Sequence, residues 1–464
     1  VAIVLRTVLF LAALLGVCLA FGSGGTEEPK MSRLKVSENK RFIVKEDGTP
    51  FFYLGDTAWE LFHRLNREKA DRYLANRAAK KFTVIQAVVL AELNGPSDSN
   101  PYGHLPLIDN DPARPNEPYF QHVDYIVNKA QSLGLYIGML PTWGSHVTGR
   151  GGQRIFNPSN GYAYGLFLGK RYRDKAIIWV LGGDRPADSD EIKEVWRAMA
   201  KGLKEGDEGK HLMTFHPNGA GASSTWFHND AWLDFNMIQS GHSAKNIPNY
   251  NAIAKDYERT PTKPCMDGEP RYEDHPVNWN PKYGWLDEHD VRQAAYWALF
   301  AGAHGHTYGC HDIWQMYAPG RNPISSARTY WYDALDLPAT FQMQHARCLL
   351  ESRPFLIRVP DQSIIAEGQG EGPDHVQATR GADGSYAFVY IPTGKHVTVN
   401  MNKISGSNVR AFWYDPRKGT SSAIGEFPTT GTKQFSPASC GRGNDWVLVL
   451  DDASKGFPAP GASK

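Results

Sequence analysis

Short apolar runs recur between positions 51 and 310, separated by stretches whose apolar residues return every three or four positions. The runs cover 51–55, 82–90, 136–140, 176–181, 211–216, 235–240, 263–267 and 305–310. Most are almost continuously apolar. A strand with one wet face alternates apolar and polar residues; one covered on both faces does not, so these read as buried parallel strands. Between them, Asn66 is placed to cap a helix through Lys80, with Ala70, Tyr73, Leu74 and Ala78 along one side. Residues 119–133 carry Val123, Ile126, Val127 and Ala130 at helical spacing and end at Gly134. Helices over 162–172, 189–203, 249–257, 288–301 and 340–350 complete the alternation. Eight strand-then-helix units predict an α/β fold, a closed (β/α)₈ TIM barrel, better than a doubly wound sheet. The unit through 226–234 is the irregular one.

The flanks read differently. Residues 34–50 alternate polar and apolar positions around Asp47-Gly48, as a small hairpin does. Beyond Arg353 the runs 386–391, 396–401, 409–414 and 446–450 alternate between Gly, Pro and Asn turns, and no helical stretch survives. That texture predicts a C-terminal antiparallel β-sandwich. At the start, Arg6 precedes an apolar run over 8–20 and small residues follow at 22–25. The run suits a signal-peptide core and is too short to span a bilayer. Val17 stands before Cys18 where a lipid-anchored protein has a small residue, so secretion is favoured over a lipid anchor, with an uncleaved tether as the remaining option. The expected organisation is an export signal over 1–25, a barrel over 34–352 and a sandwich over 353–455, placing the protein outside the cytoplasm. Arg353 follows the last helix without a Ser/Gly linker, so the sandwich is expected to dock on the barrel.

Composition narrows the function. Lys+Arg 50 against Asp+Glu 49 leaves a net charge of +1, which argues against nucleic-acid or stable membrane partners. The 13 Trp, 21 Tyr and 21 Phe are a high aromatic load; a large core absorbs many of them, and open clefts that stack sugar rings use them too. After the signal, Cys265, Cys310, Cys348 and Cys440 match no zinc spacing; free thiols are the default and a Cys265–Cys310 bridge the minority option. No Walker loop, dinucleotide fingerprint, Gly-x-Ser-x-Gly elbow or His-Glu-x-x-His motif occurs.

In such a barrel the active site lies at the C-terminal strand ends. Strand four ends Leu181-Gly182-Gly183-Asp184-Arg185, and strand seven ends Met266-Asp267-Gly268-Glu269-Pro270. Each places a carboxylate beside glycines where an apolar run stops, the pair that glycoside hydrolysis requires. Either acid alone would also serve as a helix cap or rim ion pair. Other strand ends offer candidate sugar contacts: Asp56 and Trp59, Gln86, Trp143, His216 and Asn218, Gln239 and His242, Tyr272, His306 and Trp314. Trp59 reads equally as core, Asp56 as a helix cap, and Arg271 and Tyr272 either orient Glu269 or face solvent. His304, His306, His311 and Asp312 raise the question of a metal, since His-x-His can set two rings on one strand face. Strand-end histidines also bind hydroxyls, and no metal or other cofactor is expected. In the sandwich, residues 413–417 read as packing against the barrel in preference to a sugar-binding surface.

The two acids match, by strand count, the acid/base and nucleophile of the retaining (β/α)₈ glycosidase clan that includes family 5. That clan usually has Asn-Glu at strand four; Gly-Asp here argues against ordinary cellulase or mannanase activity. The stretches Leu54-Gly55-Asp56-Thr57-Ala58-Trp59-Glu60-Leu61-Phe62, Trp179-Val180-Leu181-Gly182-Gly183-Asp184 and Gly305-His306-Thr307-Tyr308-Gly309 resemble the apiosidase family, glycoside hydrolase family 140. The C-terminal part resembles a module labelled collagen-binding, although nothing in it is collagen-specific. The resemblance spans nearly the whole chain after the signal. It implies a retaining O-glycosidase that releases apiose from galacturonic acid in the pectic polysaccharide rhamnogalacturonan II, with Asp184 as acid/base and Glu269 as nucleophile. The expected partner is a polysaccharide or oligosaccharide substrate, and the expected state a monomer. The alternatives are a cellulase-like or other endo-glycosidase of the same clan, and a non-catalytic polysaccharide-binding protein.

Overall fold

The computed structural model describes residues 31–462, so the export segment expected at 1–25, with Cys18, lies outside the described residues. Among the described residues no helix is long and apolar enough to cross a membrane. An antiparallel hairpin, Leu34–Val36 with Ile43–Lys45, leads into the barrel.

Eight parallel strands follow: Tyr53–Thr57, Val84–Leu90, Tyr136–Thr142, Ile177–Gly182, Met213–His216, Asn236–Ile238, Cys265–Asp267 and Gly305–Tyr308. Each overlaps an expected run. In ordinal terms the ladder runs five-four-three-two-one-eight-seven-six. The fifth and sixth strands are stitched by single bonds, Asp234 N–H to the Met213 carbonyl (2.8 Å) and Thr214 Oγ1 to the Phe235 carbonyl (2.7 Å). This is the irregular unit, where the short helix Ser224–Phe227 stands in for a full crossover. Tyr53, Val84, Val88, Leu140, Ile178 and Met237 fill the barrel interior, while Leu54, Ile85, Met139, Trp179 and Phe215 face the helices. Both strand faces are dry, which is why the runs do not alternate.

The helices Arg67–Ala79, Glu117–Ser132, Pro158–Tyr172, Asp190–Gly206, Asn249–Tyr257, Glu288–Phe300 and Pro338–Glu351 form the outer ring. Asn66 caps the first by accepting the Lys69 N–H. The pair flanking strand four crosses so closely that a Cβ at Gly202 would lie 2.2 Å from the Tyr162 carbonyl.

The C-terminal region packs a six-stranded antiparallel sheet against a three-stranded one. The inner faces make their own core, with Val389, Leu448, Leu450 and Val397. The outer face of the large sheet is also apolar and covers the helix Glu288–Phe300: Tyr390 stacks on Tyr296 (4.8 Å between centroids) and Phe388 on Phe300 (5.9 Å). Buried Arg292 reaches Asp445 (2.7 Å), and Arg353 at the junction reaches Asp451 (2.6 Å). Residues 413–417 serve packing: Trp413 lies in the sandwich core, the Tyr414 hydroxyl donates to the His345 carbonyl of the last barrel helix (2.8 Å), and Asp415 pairs with Arg417 (2.6 Å). Cys265 and Cys310 are buried free thiols.

The sandwich is thus part of the barrel's outer core. Deleting residues from Arg353 onward would bare the Tyr296 and Phe300 face and strand Arg292, and breaking one such buried pair costs about 3–5 kcal/mol. The truncated barrel is expected to aggregate or to melt well below the full chain in calorimetry. A soluble truncation with an unchanged Tm would contradict this.

Candidate active site

Strand four delivers Asp184 through an unusual backbone. Gly182, Gly183 and Asp184 have φ of 92°, 118° and 55°. A Cβ at residue 182 would lie 2.2 Å from the His216 carbonyl, and one at 183 would lie 2.8 Å from Gly144 N and the Trp143 ring. Only glycine fits at both points, and aspartate is among the few side chains that tolerate the left-handed region that follows. The chain therefore turns off the strand at once and leaves the Asp184 carboxyl at the mouth, 35% exposed and 3.1 Å from Arg185 Nη1. Burial raises its pKa above the ordinary value, as does the charge of Glu269; His216, Arg185 and the Gln239 amide oppose the rise.

Strand seven delivers Glu269 through a clamp. Gly268 N–H donates to the Ile238 carbonyl (2.9 Å), the Gln86 amide donates to the Gly268 carbonyl (3.1 Å), and Gly241 N–H donates to the Glu269 carbonyl (3.0 Å). Its carboxylate, nearly buried, lies 3.0 Å from His242 Nε2 and 3.1 Å from His216 Nε2. Burial alone would raise its pKa, but the two imidazoles overcome this and hold the carboxyl well below its ordinary range. Two neighbouring acids are thus pushed in opposite directions, one toward holding its proton and one toward carrying charge.

Aromatic rings wall the site. Trp59 meets Trp143 (5.4 Å) and His216 (5.2 Å), and Tyr272 lies against His242 (4.2 Å). Trp314 belongs to the same cluster, which continues downward into the barrel interior. Trp59 is therefore both core and wall. Glu269, His216, His242, Gln239, Trp59, Trp143, Tyr272 and Trp314 gather with Asp184. Of the histidines expected as sugar contacts, His242 hydrogen-bonds Glu269 and His216 lies within ion-pair distance of it.

Four expected contacts do other work. Asp56 faces the helices, fully buried against Arg77 (2.5 Å) and Tyr73, because alternation along strand one turns it away from the interior side of Tyr53 and Thr57. His306 pairs in register with Leu54 and shares the outer face of Tyr308, beside Arg271 behind the wall. Gln86 points inward but lies below the cleft, tying Tyr53 to the Gly268 carbonyl. Asn218 donates to the Gly219 carbonyl (3.0 Å) within its own turn. Arg271 is buried, bonded to the Lys245 carbonyl and to Gln293, so it neither faces solvent nor touches Glu269. The histidines weighed as metal ligands disperse. His304 packs on Phe235 (5.3 Å) and His311 binds the Ile324 carbonyl (3.0 Å). Asp312 accepts from the backbone of Arg328 and Thr329 (both 3.0 Å). No three His, Cys, Asp or Glu among the described residues converge as metal ligands.

One acid was missed. Glu92 stands just past strand two, and burial together with the charges of Asp184 and Glu60 pushes its carboxyl up to about 8, against the pull of Arg185. That shift favours its protonated form over the ordinary carboxylate. Buried Glu60, bonded to His63 (2.8 Å) and to the Leu93 N–H (3.1 Å), fixes that loop. The signal was the one that found Asp184 and Glu269: an acid where an apolar run stops, here Leu90-Ala91-Glu92.

Removing one imidazole tests the electrostatics. A hydrogen bond to a charged group is worth about 1.5–3 kcal/mol, or about one to two pH units of carboxylate titration. His242→Ala is therefore expected to move the Glu269 titration upward by that much, read by carbon NMR of the labelled carboxyl. An unmoved titration would contradict the assigned cause.

Residues 37–357 match the family model described as "Apiosidase-like, catalytic domain", and residues 359–451 match "Putative collagen-binding domain of a collagenase". A solved structure named "Glycoside hydrolase" is 39% identical, with a TM-score of 0.85, over 91% of this chain and 97% of its own. A glycoside hydrolase family 5 from Bacteroides vulgatus ATCC 8482 is 38% identical, with a TM-score of 0.86, over 92% of this chain and 95% of its own. No curated protein matches the chain.

Proposed function

The chain belongs to the apiosidase-like family, and from that premise we propose that it is a retaining glycoside hydrolase of plant pectin. The bond cleaved is the one joining apiose to galacturonic acid in rhamnogalacturonan II. The observation that carries the reading is the opposed pair, Asp184 held toward its protonated form and Glu269 held ionised. Glu269 attacks the anomeric carbon while Asp184 gives its proton to the departing glycosidic oxygen, forming a glycosyl-enzyme ester. Water then attacks the same carbon, Asp184 takes its proton, and Glu269 leaves as the carboxylate.

The surroundings of Asp184 suit an acidic leaving sugar. Arg185 lies beside it, 3.1 Å from its carboxylate, and donates to the Arg150 carbonyl (2.9 Å), so a guanidinium stands at the mouth where a uronate could pair with it. Glu92, whose carboxyl burial and the charge of Asp184 shift toward the protonated form, would repel a uronate less than an ordinary carboxylate. A polymeric wall substrate also calls for action outside the cytoplasm. A binder without turnover has no need of a nearly buried carboxylate held charged, and that favours the enzyme over the binding protein.

Product analysis on pectic oligosaccharides tests the reading, with free apiose or an apiose-terminated fragment expected. Cleavage of glucan or mannan oligosaccharides instead would favour the cellulase-like alternative, and absence of turnover on every glycan would favour the binder. Two variants separate the roles. Glu269→Gln is expected to lose turnover on every substrate. Asp184→Asn is expected to lose about 10²–10⁴-fold on the natural linkage and far less on an activated aryl glycoside, which leaves without full protonation. Equal losses on both substrates would contradict the assignment.

A further inference from the structure

The loop after strand seven carries a side chain that the reaction above does not use. Trp279 is 51% exposed, in a molecule whose other cleft tryptophans are buried. It sits on a left-handed backbone, with φ of 51° at Asn278 and 56° at Trp279. Two successive non-glycine residues in that region, the second a tryptophan, are costly and persist only where the surroundings enforce them.

The surroundings do enforce them, and they tie the ring to the catalytic centre. Asn278 N–H donates to the His242 carbonyl (2.9 Å), and Trp279 N–H donates to the Pro276 carbonyl (3.0 Å). The indole meets the His242 ring at 5.8 Å and 72° and the His275 ring at 5.4 Å and 85°. His242 is the residue whose Nε2 holds Glu269 at 3.0 Å. One imidazole therefore has the nucleophile at one end and the exposed indole against its ring. Tyr283, on the same loop and 53% exposed, adds a second open aromatic.

A flat, half-open indole held at a fixed offset from a glycosidic carboxylate has the shape to receive the C–H face of a pyranose or furanose ring. We propose that Trp279 is the platform of a distal glycan subsite, binding a sugar residue of the polymer other than the two that flank the cleaved bond. Its position is set through His242, so the subsite is in register with Glu269. The inference rests on the glycosidase reading for its substrate class, and it makes chain length, not linkage, the quantity that Trp279 controls.

The test compares the full-length chain with Trp279→Ala and Trp279→Phe on a size-fractionated ladder of pectic oligosaccharides, measuring kcat and KM separately. Trp279→Ala is expected to raise KM on the longest fragments about tenfold, as loss of one stacked ring would, with less than about a twofold change on the shortest. Trp279→Phe is expected to restore most of the difference. Equal KM changes at every length would show a structural role and overturn the proposal, and no change at any length would overturn it as well. If the wild type cleaves no fragment, the proposed reaction fails, but the subsite is still tested by calorimetry. Length-dependent binding of the ladder to Glu269→Gln, lost with the added Trp279→Ala, then supports the platform, and length-independent binding refutes it.

Discussion

Taking a carboxylate out of water costs several kcal/mol unless hydrogen bonds and opposite charge return it. At Glu269 that return comes from two imidazoles delivered by separate strands, His216 from the fifth and His242 from just beyond the sixth. The flanking glycines follow from the same requirement. The Gly268 carbonyl accepts from Gln86 inside the barrel (3.1 Å), just before the chain turns Glu269 toward the histidines. A Cβ at Gly268 would lie 2.3 Å from Met237 Sδ, so a larger residue there requires the methionine side chain to move.

The charge on Glu269 also acts on its neighbours. Burial is the main cause that raises Asp184 and Glu92, and the charge on Glu269 adds to it, more at Asp184 than at Glu92. That division of labour depends on Asp184 being close, and the Gly182-Gly183 turn brings it there in place of the longer glutamate of the wider clan. Behind the site, the sandwich covers the helix Glu288–Phe300 that flanks strands seven and eight, the docking that the missing linker at Arg353 leads one to expect.

Much of this was legible in the chain. Strands covered on both faces must be continuously apolar, and that made the barrel visible; acids at the ends of such runs marked Asp184 and Glu269. A strand end, however, reports height and not side. Asp56 and His306 stand at the right height, yet alternation turns them to the helix layer, and only the pairing of the first and eighth strands reveals it. Gln86 is on the right side but too deep. His216 and His242 stand in the site as expected, and their contact with the carboxylate from strand seven is a feature that strand ends alone do not show. Glu92 also stands where an apolar run stops, but two residues past the end of strand two, where Gln86 within the strand is the more evident polar candidate. Trp279 left no trace in periodicity, since its exposure is decided by two left-handed residues in a loop.

The central claim is that Glu269 attacks the anomeric carbon directly, and the most direct measurement is the anomeric configuration of the first-formed product. Proton NMR of a glycoside during its first turnovers reads it before mutarotation, whatever the natural sugar. Retention is predicted, because two displacements at one carbon restore its configuration. Inversion would mean that water, not Glu269, attacks, and would contradict the role assigned to the buried carboxylate.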